Sequence, residues 1–241
     1  MSPPKREDGA PWRNFYGRRR GKTLRPGQVE HLETTLEYLR PAGIGWDENP
    51  DRNPLDLIEI FGNDRPIWLE IGFGSGEHLL AMAERYPGVG FIGCEPFVNG
   101  VATLVPRIAA RKIENIRVHP GDARDLLDVI PKGKLEKVFL LYPDPWPKKK
   151  HHRRRFMNPE ALVPMARAMA DGAELRVATD IADYVRHSLE TVAQDANFQW
   201  EAECAEDWRR PWKDWTRTRY EAKAIREGRS PHYLTFRRVC G

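Results

Sequence analysis

Short apolar runs alternate with segments of helical periodicity from about residue 66 onwards. Apolar runs at 67–73, 89–96 and 116–122 are separated by helical segments at 76–86 and 99–112. Four later apolar runs follow at 137–143, 173–180, 198–203 and 232–239. A helical segment at 158–172 separates the first two of these four runs. Alternation of this kind is typical of a parallel sheet with helices on both faces. The pattern therefore predicts an α/β fold with a mostly parallel sheet of seven strands and helices on both faces.

The start of the chain differs from the rest. Residues 1–28 are rich in Gly, Pro and Arg and show no hydrophobic period. We therefore expect a flexible basic arm over residues 1–30 and a single domain over 31–241. No apolar run approaches the roughly 20 residues of a membrane-spanning helix. The chain begins without the apolar segment of a secretory signal, so we expect a cytoplasmic protein without membrane contact.

The net charge of +4 is unevenly distributed along the chain. Residues 1–28 hold eight Lys and Arg against two acids, 148–155 hold six against none, and 208–219 hold five against one. Surface charge is normally mixed in sign, whereas clusters of one sign attract polyanions. Nucleic acid is therefore the first partner to expect.

A glycine-rich turn follows the first predicted strand, with Gly72, Gly74 and Gly76 between Glu70 and Glu77. Such a turn can simply end a strand, but glycines also let a ligand approach the backbone closely. In the dinucleotide fingerprint the third glycine comes one residue later and a pyrophosphate lies at the helix start. Glu77 would repel a pyrophosphate there. The spacing thus favours S-adenosylmethionine, which has no phosphate, with Glu70 helping to hold its cationic part.

Two further acids follow the next predicted strands. Glu95 lies after the second strand, where related folds place the carboxylate that accepts from ribose hydroxyls. Asp122 follows the third strand and is expected to accept from the adenine amino group. Each acid alone is compatible with a solvated side chain, but together they favour a cofactor site. No metal site is expected, because His151 and His152 are adjacent within a basic run.

A stiff loop follows the fourth predicted strand and places Asp144 between prolines. An aspartate can accept from the N1–H and the exocyclic amino group of guanine together, and Tyr142 or Trp146 could stack on a base. The alternative is a strand-end turn followed by solvated charge. We expect the basic residues that follow to contact RNA phosphates; they are Lys149, Lys150, Arg153, Arg154 and Arg155.

These motifs together resemble a known family. Over roughly residues 60–238 the chain resembles the bacterial tRNA (guanine-N7-)-methyltransferases. The motifs that carry the resemblance are LEIGFGSGEHL, GDA, PDPWPKKKHHRRR, ATD and TRTRYE. The earlier segment RGKTLRPGQ is similar to the segment that precedes the domain in this family. The resemblance implies a Rossmann-like class I methyltransferase fold, S-adenosylmethionine as cofactor and tRNA as partner. It also implies methylation of guanine N7 at variable-loop position 46. No obligate protein partner is expected.

The resemblance also implies roles for single residues. Glu70, Glu95, Asp122 and Asp144 match the family's cofactor-contacting acids, and Asp144 matches its proposed catalytic residue. The positions that match substrate-binding residues are Lys148, Asp180, Thr218, Arg219, Tyr220 and Glu221.

The segment around Thr218 also reads as a helix start, with Thr218 as N-cap and Glu221 as its capping-box partner. With the helix so fixed, we expect Glu221 to accept from the edge of the base opposite Asp144.

Two other classes of function compete with this interpretation. A noncatalytic RNA-binding protein would use the basic arm and the tryptophans interleaved with Arg and Lys, which are Trp208, Trp212 and Trp215. It would leave the acids at the strand ends without a role. A methyltransferase for small molecules or proteins would share the cofactor site but would have no use for clustered positive charge.

Overall fold

The computed structural model describes residues 13–240, and their seven strands form one sheet in the order β3-β2-β1-β4-β5-β7-β6. The strands are β1 Ile67–Ile71, β2 Gly90–Cys94, β3 Ile116–His119, β4 Leu135–Leu141, β5 Met169–Thr179, β6 Phe198–Trp200 and β7 His232–Arg238. Strands β1 to β5 pair in parallel, whereas β7 is antiparallel to both β5 and β6. The predicted seven-stranded, mostly parallel sheet is confirmed.

Helices connect the strands. They are α1 Pro26–Glu33, α2 Thr35–Leu39, α3 Leu57–Phe61, α4 Glu77–Arg85, α5 Val98–Arg111, α6 Ala123–Val129, α7 Pro159–Ala168, α8 Ala182–Ala193, α9 Glu206–Arg209 and α10 Arg219–Arg226, with a 3₁₀ helix at Lys149–Arg154. None of the helices in this part of the chain is long and apolar enough to cross a membrane.

Apolar side chains cover both faces of the sheet. Leu69 of β1 belongs to one core with Leu126 of α6 and Leu162 of α7. Its neighbour Trp68 points to the other face and packs against the core that contains Leu79 of α4 and Leu104 of α5. Successive residues of a strand point to opposite faces, so this strand holds helices on both sides of the sheet. Burying each leucine contributes roughly 2 kcal/mol.

The predicted end of the helix before β5 is wrong. The helix expected over 158–172 ends at Ala168, and the next four residues belong to β5. Met169 pairs with Leu135 of β4, after which the register shifts before Lys137 pairs with Glu174. Gly172 within the shift has a φ of 79°, which favours glycine. The sheet ladder overrides the helical periodicity of the sequence here.

The predicted basic arm is described only in part, because residues 1–12 lie outside the described residues. Residues 13–22, which we name the N-terminal strap, contact the domain at both ends. The Arg13 guanidinium donates to Asp128 of α6 at 2.6 Å, and the Gly21 amide donates to Asn99 of α5 at 2.6 Å. Helix α1 then begins at Pro26. The division between an arm and a domain stays a prediction.

Candidate methyl-transfer site

A cavity of about 560 Å³ opens at the carboxyl ends of β1 to β4. The strand order reverses between β1 and β4, and ligands of open α/β sheets bind at this kind of switch point. The volume suits a nucleotide-sized ligand. Predicted cofactor and substrate residues that line the cavity are Gly72, Gly74, Glu95, Asp122, Asp144 and Tyr220.

The glycine-rich turn after β1 forms the floor of this cavity. Gly72, Gly74 and Gly76 all have positive φ, between 58° and 73°, so each of these positions favours glycine. Helix α5 approaches the turn so closely that a Cβ on Gly100 would lie 2.1 Å from the Gly74 carbonyl oxygen. Nothing lies within 4 Å of a Cβ built on Gly72, whereas one built on Gly74 would lie 3.2 Å from the Tyr220 ring. The turn can therefore present its backbone to a ligand at Gly72, with the Tyr220 ring beside Gly74.

Glu95 joins this turn to the start of α5. Its carboxylate accepts from the Gly74 amide at 2.7 Å and from the Phe97 amide at 2.9 Å. Burial raises the pKa of Glu95, although both hydrogen bonds act in the opposite direction. Each carboxylate oxygen has two lone pairs, so each can accept one further hydrogen bond from a ligand hydroxyl.

Asp122 follows β3 and begins α6. Its carboxylate accepts from the Arg124 amide at 2.9 Å and forms an ion pair with the Arg124 guanidinium at 2.6 Å. Burial opposes ionisation, but the hydrogen bonds and charge of Arg124 outweigh it and lower the pKa of Asp122. The same guanidinium donates to the Asn14 carbonyl of the strap at 3.0 Å. Asp122 therefore lies where the strap meets the cavity.

Glu70 lies apart from the other predicted cofactor acids. The residue is 3% exposed and does not line the cavity. The carboxylate is 2.7 Å from Nδ1 of buried His78, whose ring packs against Phe139 and Trp215. Glu70 thus supports the start of α4 from below the turn, and its predicted contact with the cofactor stays a prediction.

Asp144 lies on residues 142–147, which we name the acceptor loop. No described residue donates a hydrogen bond to its carboxylate, which lines the cavity on an exposed part of the loop. Desolvation by the neighbouring protein atoms raises the pKa of Asp144. Tyr142 and Trp146 on either side have φ values of 51° and 42°, which cost about 1–3 kcal/mol each. The loop is thus held in a strained conformation around a carboxylate that is free to bind a ligand.

The basic run after the acceptor loop does not act as one surface. Lys148, Lys149, Lys150 and Arg153 are exposed and remain predicted phosphate contacts. The prediction for Arg155 is wrong, because its side chain is fully buried. Its guanidinium donates to the Pro145 carbonyl at 2.9 Å and pairs with the Asp183 carboxylate of α8.

Arg155 therefore holds the acceptor loop against the fold. Arg154 is half-buried between the rings of Tyr16 and Trp146, with its guanidinium carbon 4.8 and 5.0 Å from the ring centres. The sequence could not separate these arginines from their exposed neighbours.

The segment before α10 confirms the predicted N-cap, because the Thr218 hydroxyl accepts from the Glu221 amide at 3.2 Å. The predicted orientation of Glu221 is wrong, and the capping box is only half formed. Its carboxylate is buried and accepts from Trp215 Nε1 at 2.7 Å and from the Tyr233 hydroxyl. Glu221 thus faces the core and not the edge of a bound base.

The remaining predicted substrate residues are placed differently. Tyr220 lines the cavity with its ring beside Gly74, and burial together with the charge of Glu95 raises the pKa of its hydroxyl. The Arg219 Nε donates to the carboxylate of Glu77, at the start of α4, over 2.7 Å. Asp180 forms an ion pair with Arg229. The substrate roles of Arg219 and Asp180 stay predictions.

The tryptophans that favoured a noncatalytic RNA-binding protein pack against the fold. Trp212 Nε1 donates to the Thr235 hydroxyl of β7 at 2.9 Å, and Trp215 is held by Glu221. Trp208 stacks on His232 with ring centres 5.4 Å apart. These rings therefore stabilise the fold. They no longer favour a noncatalytic RNA-binding protein, and only the basic arm still does.

The sequence reasoning missed the contribution of the strap to the cavity. Its residues 14–18 line the cavity opposite the glycine-rich turn, and Phe15 and Tyr16 supply aromatic rings there. The signal was the pair of aromatic residues inside a basic segment, since such residues are more often docked than solvated. Within residues 13–240 no group of three His, Cys, Asp or Glu residues could hold a metal ion.

Comparisons with known proteins identify the family of the chain. The family model described as "Putative methyltransferase" matches residues 64–234. A tRNA (guanine-N(7)-)-methyltransferase of Ruegeria sp. (strain TM1040) is 60% identical over 97% of this chain and 91% of its own length. The enzyme of the same name from Paracoccus denitrificans (strain Pd 1222) is 60% identical over 95% of this chain and 96% of its own length.

Solved structures share the fold at much lower identity. The 16S rRNA methyltransferase KamB has a TM-score of 0.57 and 16% identity over 76% of this chain and 92% of that chain. An antibiotic related methyltransferase has a TM-score of 0.51 and 13% identity over 78% of this chain and 98% of that chain. These likenesses show the class I methyltransferase fold alone. From its curated relatives and the matched family model, the chain belongs to the tRNA (guanine-N(7)-)-methyltransferase family.

Proposed function

We propose that the chain transfers a methyl group from S-adenosylmethionine to N7 of a guanine in tRNA, at variable-loop position 46, in the cytoplasm. The observation that carries this proposal is the unpaired Asp144 carboxylate on a stiff loop, between a glycine-floored cavity and exposed lysines. A carboxylate in this position has no structural partner to explain it.

The cavity fits S-adenosylmethionine by the chemistry of its lining. The bare backbone at Gly72 admits a ligand, and Glu95 has lone pairs to accept from two ribose hydroxyls. Asp122 lies at the end of the next strand, where an adenine amino group would reach it. Glu95 and Asp144 line the cavity at the strand ends and have no basic partner there among the described residues, so a sulfonium cation suits this side better than a pyrophosphate. When bound, S-adenosylmethionine supplies an electrophilic methyl group.

The chemistry asks little of the protein at N7 itself. Guanine N7 carries a free lone pair, which forms the new N–C bond while the C–S electrons return to sulfur. No base must first remove a proton from N7. The protein can therefore act by aligning N7 with the methyl carbon and sulfur, an effect worth several kcal/mol when the alignment is good.

Asp144 has two parts in that alignment. Its carboxylate accepts from the N1–H and the exocyclic amino group of guanine, which fixes the edge of the base. The purine gains positive charge as the methyl group arrives, and a partly desolvated carboxylate stabilises that charge. Its role is thus to orient the base and to stabilise charge, and it need not accept a proton.

The exposed part of the basic run supplies the contact with the nucleic acid. Four exposed basic residues follow the acceptor loop directly in the sequence: Lys148, Lys149, Lys150 and Arg153. Their positive charge would bind the phosphates that flank the target guanine. This contact separates tRNA from small-molecule and protein substrates.

The test is methyl transfer from labelled S-adenosylmethionine to bulk tRNA, to protein and to a metabolite extract, measured side by side. We expect label only in tRNA, recovered as 7-methylguanosine after digestion. Transcripts with adenine in place of guanine at position 46 should accept none. Cofactor binding without transfer to any RNA would favour a noncatalytic RNA-binding protein, and label in protein or metabolites would favour another class of methyltransferase.

A further inference from the structure

We propose that Tyr16 of the N-terminal strap is a positioning residue for methyl transfer, which acts through Arg154 on Trp146 to hold the acceptor loop around Asp144. The inference rests on the proposed function, since it assigns part of the acceptor site to a segment far away in the sequence. None of these three side chains needs to touch the methyl group.

The strap is tied down at both ends, so its middle has a defined place. At one end the Arg13 guanidinium makes two hydrogen bonds to Asp128, at 2.6 and 2.9 Å. At the other end the Val98 amide donates to the Arg19 carbonyl at 2.9 Å. Tyr16 lies between these anchors and lines the cavity on the side of the acceptor loop.

Arg154 connects the strap to the acceptor loop. Its guanidinium carbon lies 4.8 Å from the centre of the Tyr16 ring and 5.0 Å from the centre of the Trp146 ring. The two rings also contact each other edge to face, with centres 6.4 Å apart. The buried Arg154 Nε has no hydrogen-bond partner among the described residues. The arginine is therefore held by ring faces, and its predicted contact with RNA phosphate stays a prediction.

The acceptor loop needs such a contact because its backbone is strained. Trp146 has a φ of 42°, a conformation that a tryptophan keeps only when its surroundings hold it. The side chains against its ring are Arg154, Tyr16 and His151. Loss of the Tyr16 ring removes one side of this packing and exposes Arg154. Trp146 can then relax, and Asp144, two residues earlier, moves with it.

The experiment measures single-turnover methyl transfer at saturating tRNA and cofactor, with tRNA affinity measured separately. We expect Tyr16→Ala to lower the transfer rate about tenfold, the size expected for a lost contact with an arginine and a ring. Its affinity for tRNA and the salt dependence of binding should stay near wild type, because tyrosine carries no charge. Tyr16→Phe should restore the rate, since the Tyr16 hydroxyl makes no hydrogen bond with described residues.

Two further variants sharpen the test. Arg154→Lys keeps the positive charge but loses the planar group that lies between two rings. We therefore expect it to lower the transfer rate as Tyr16→Ala does, with tRNA affinity almost unchanged. Tyr38→Ala removes a tyrosine that is 84% exposed on α2, away from the cavity, and should change nothing.

The ¹⁹F signal of Trp146 in free protein labelled with 5-fluorotryptophan, assigned by its loss in Trp146→Phe, separates this inference from the proposed function. Tyr16→Ala should broaden that signal, because the acceptor loop then samples more than one conformation, and Tyr16→Phe should not, whatever the protein methylates. The inference is overturned if the signal of Tyr16→Ala stays as sharp as that of the wild type, if Tyr16→Phe transfers methyl groups as slowly as Tyr16→Ala, or if the whole defect lies in tRNA affinity. A wild-type protein that methylates no tRNA but shows the expected broadening in Tyr16→Ala would overturn only the proposed function.

Discussion

The Glu95 carboxylate accepts a hydrogen bond from the Gly74 amide at 2.7 Å, so the end of β2 holds the glycine-rich turn that follows β1. The predicted ribose-binding acid and the predicted cofactor turn are therefore one unit. Loss of this carboxylate would therefore loosen the turn as well as remove the proposed contact with the ribose.

Glu95→Ala should weaken binding of S-adenosylhomocysteine about 10- to 100-fold, which corresponds to one or two lost hydrogen bonds to a charged group. Isothermal titration calorimetry measures this change. Glu84→Ala is the matched control, because Glu84 is an exposed acid on α4 paired with Arg111. Equal affinities for the Glu95 variant and the wild type would contradict a role of Glu95 in cofactor binding.

The exposed and the buried members of the basic run should respond differently to substitution. Neutralising Lys148, Lys149, Lys150 and Arg153 should reduce the slope of log tRNA affinity against log salt by up to about 3, because fewer counterions are released. The melting temperature should change little. An unchanged slope would mean that these side chains are only solvated charge.

Arg155→Met should behave in the opposite way. It leaves the Asp183 carboxylate without its buried partner and should cost about 2–3 kcal/mol. This is less than for a fully buried pair, because Asp183 is partly exposed. The melting temperature should fall by about 5–10 °C while the salt slope stays at the wild-type value. A normal melting temperature would contradict the structural role of Arg155.

Local sequence patterns were enough to predict the sheet and the acids at the ends of its strands. The glycine spacing, the acids Glu95 and Asp122, and the Asp144 loop all follow apolar runs directly, so one rule about strand ends places them together. Arg155 and Glu221 could not be placed in this way. Which member of a charged run is buried depends on partners far away in sequence, here Asp183 for Arg155. Tertiary contacts with Trp215 and Tyr233 likewise turn Glu221 inward.

Glu221 gives a prediction that separates a core role from a substrate role. Glu221→Leu leaves the Trp215 indole N–H and the Tyr233 hydroxyl without an acceptor and should cost about 2–4 kcal/mol. Glu221→Gln can still accept from Trp215 and donate to the Tyr233 oxygen. It should therefore keep its stability and transfer methyl groups within about threefold of the wild-type rate. A stable Glu221→Gln protein that has lost transfer would restore the role at the base edge.

The pH dependence of the transfer rate should follow Asp144, and the pH dependence of cofactor affinity should follow Glu95. Burial raises the pKa of both Asp144 and Glu95, so each loses its charge at a higher pH than an exposed acid does. As pH falls, the single-turnover rate should decrease with the protonation of Asp144. Affinity for S-adenosylhomocysteine should decrease with that of Glu95. A transfer rate that stays constant down to the ordinary aspartate pKa of 3.8 would contradict the role of Asp144.

The most direct measurement is single-turnover methyl transfer to tRNA by Asp144→Ala, with the product digested to identify the methylated atom. The carboxylate has no hydrogen bond with described residues, so the variant should keep its melting temperature within about 2 °C. We expect the rate of 7-methylguanosine formation to fall by at least about 100-fold at saturating cofactor and tRNA, as for loss of one preorganised electrostatic contact. A folded Asp144→Ala protein that forms 7-methylguanosine at close to the wild-type rate would contradict the account.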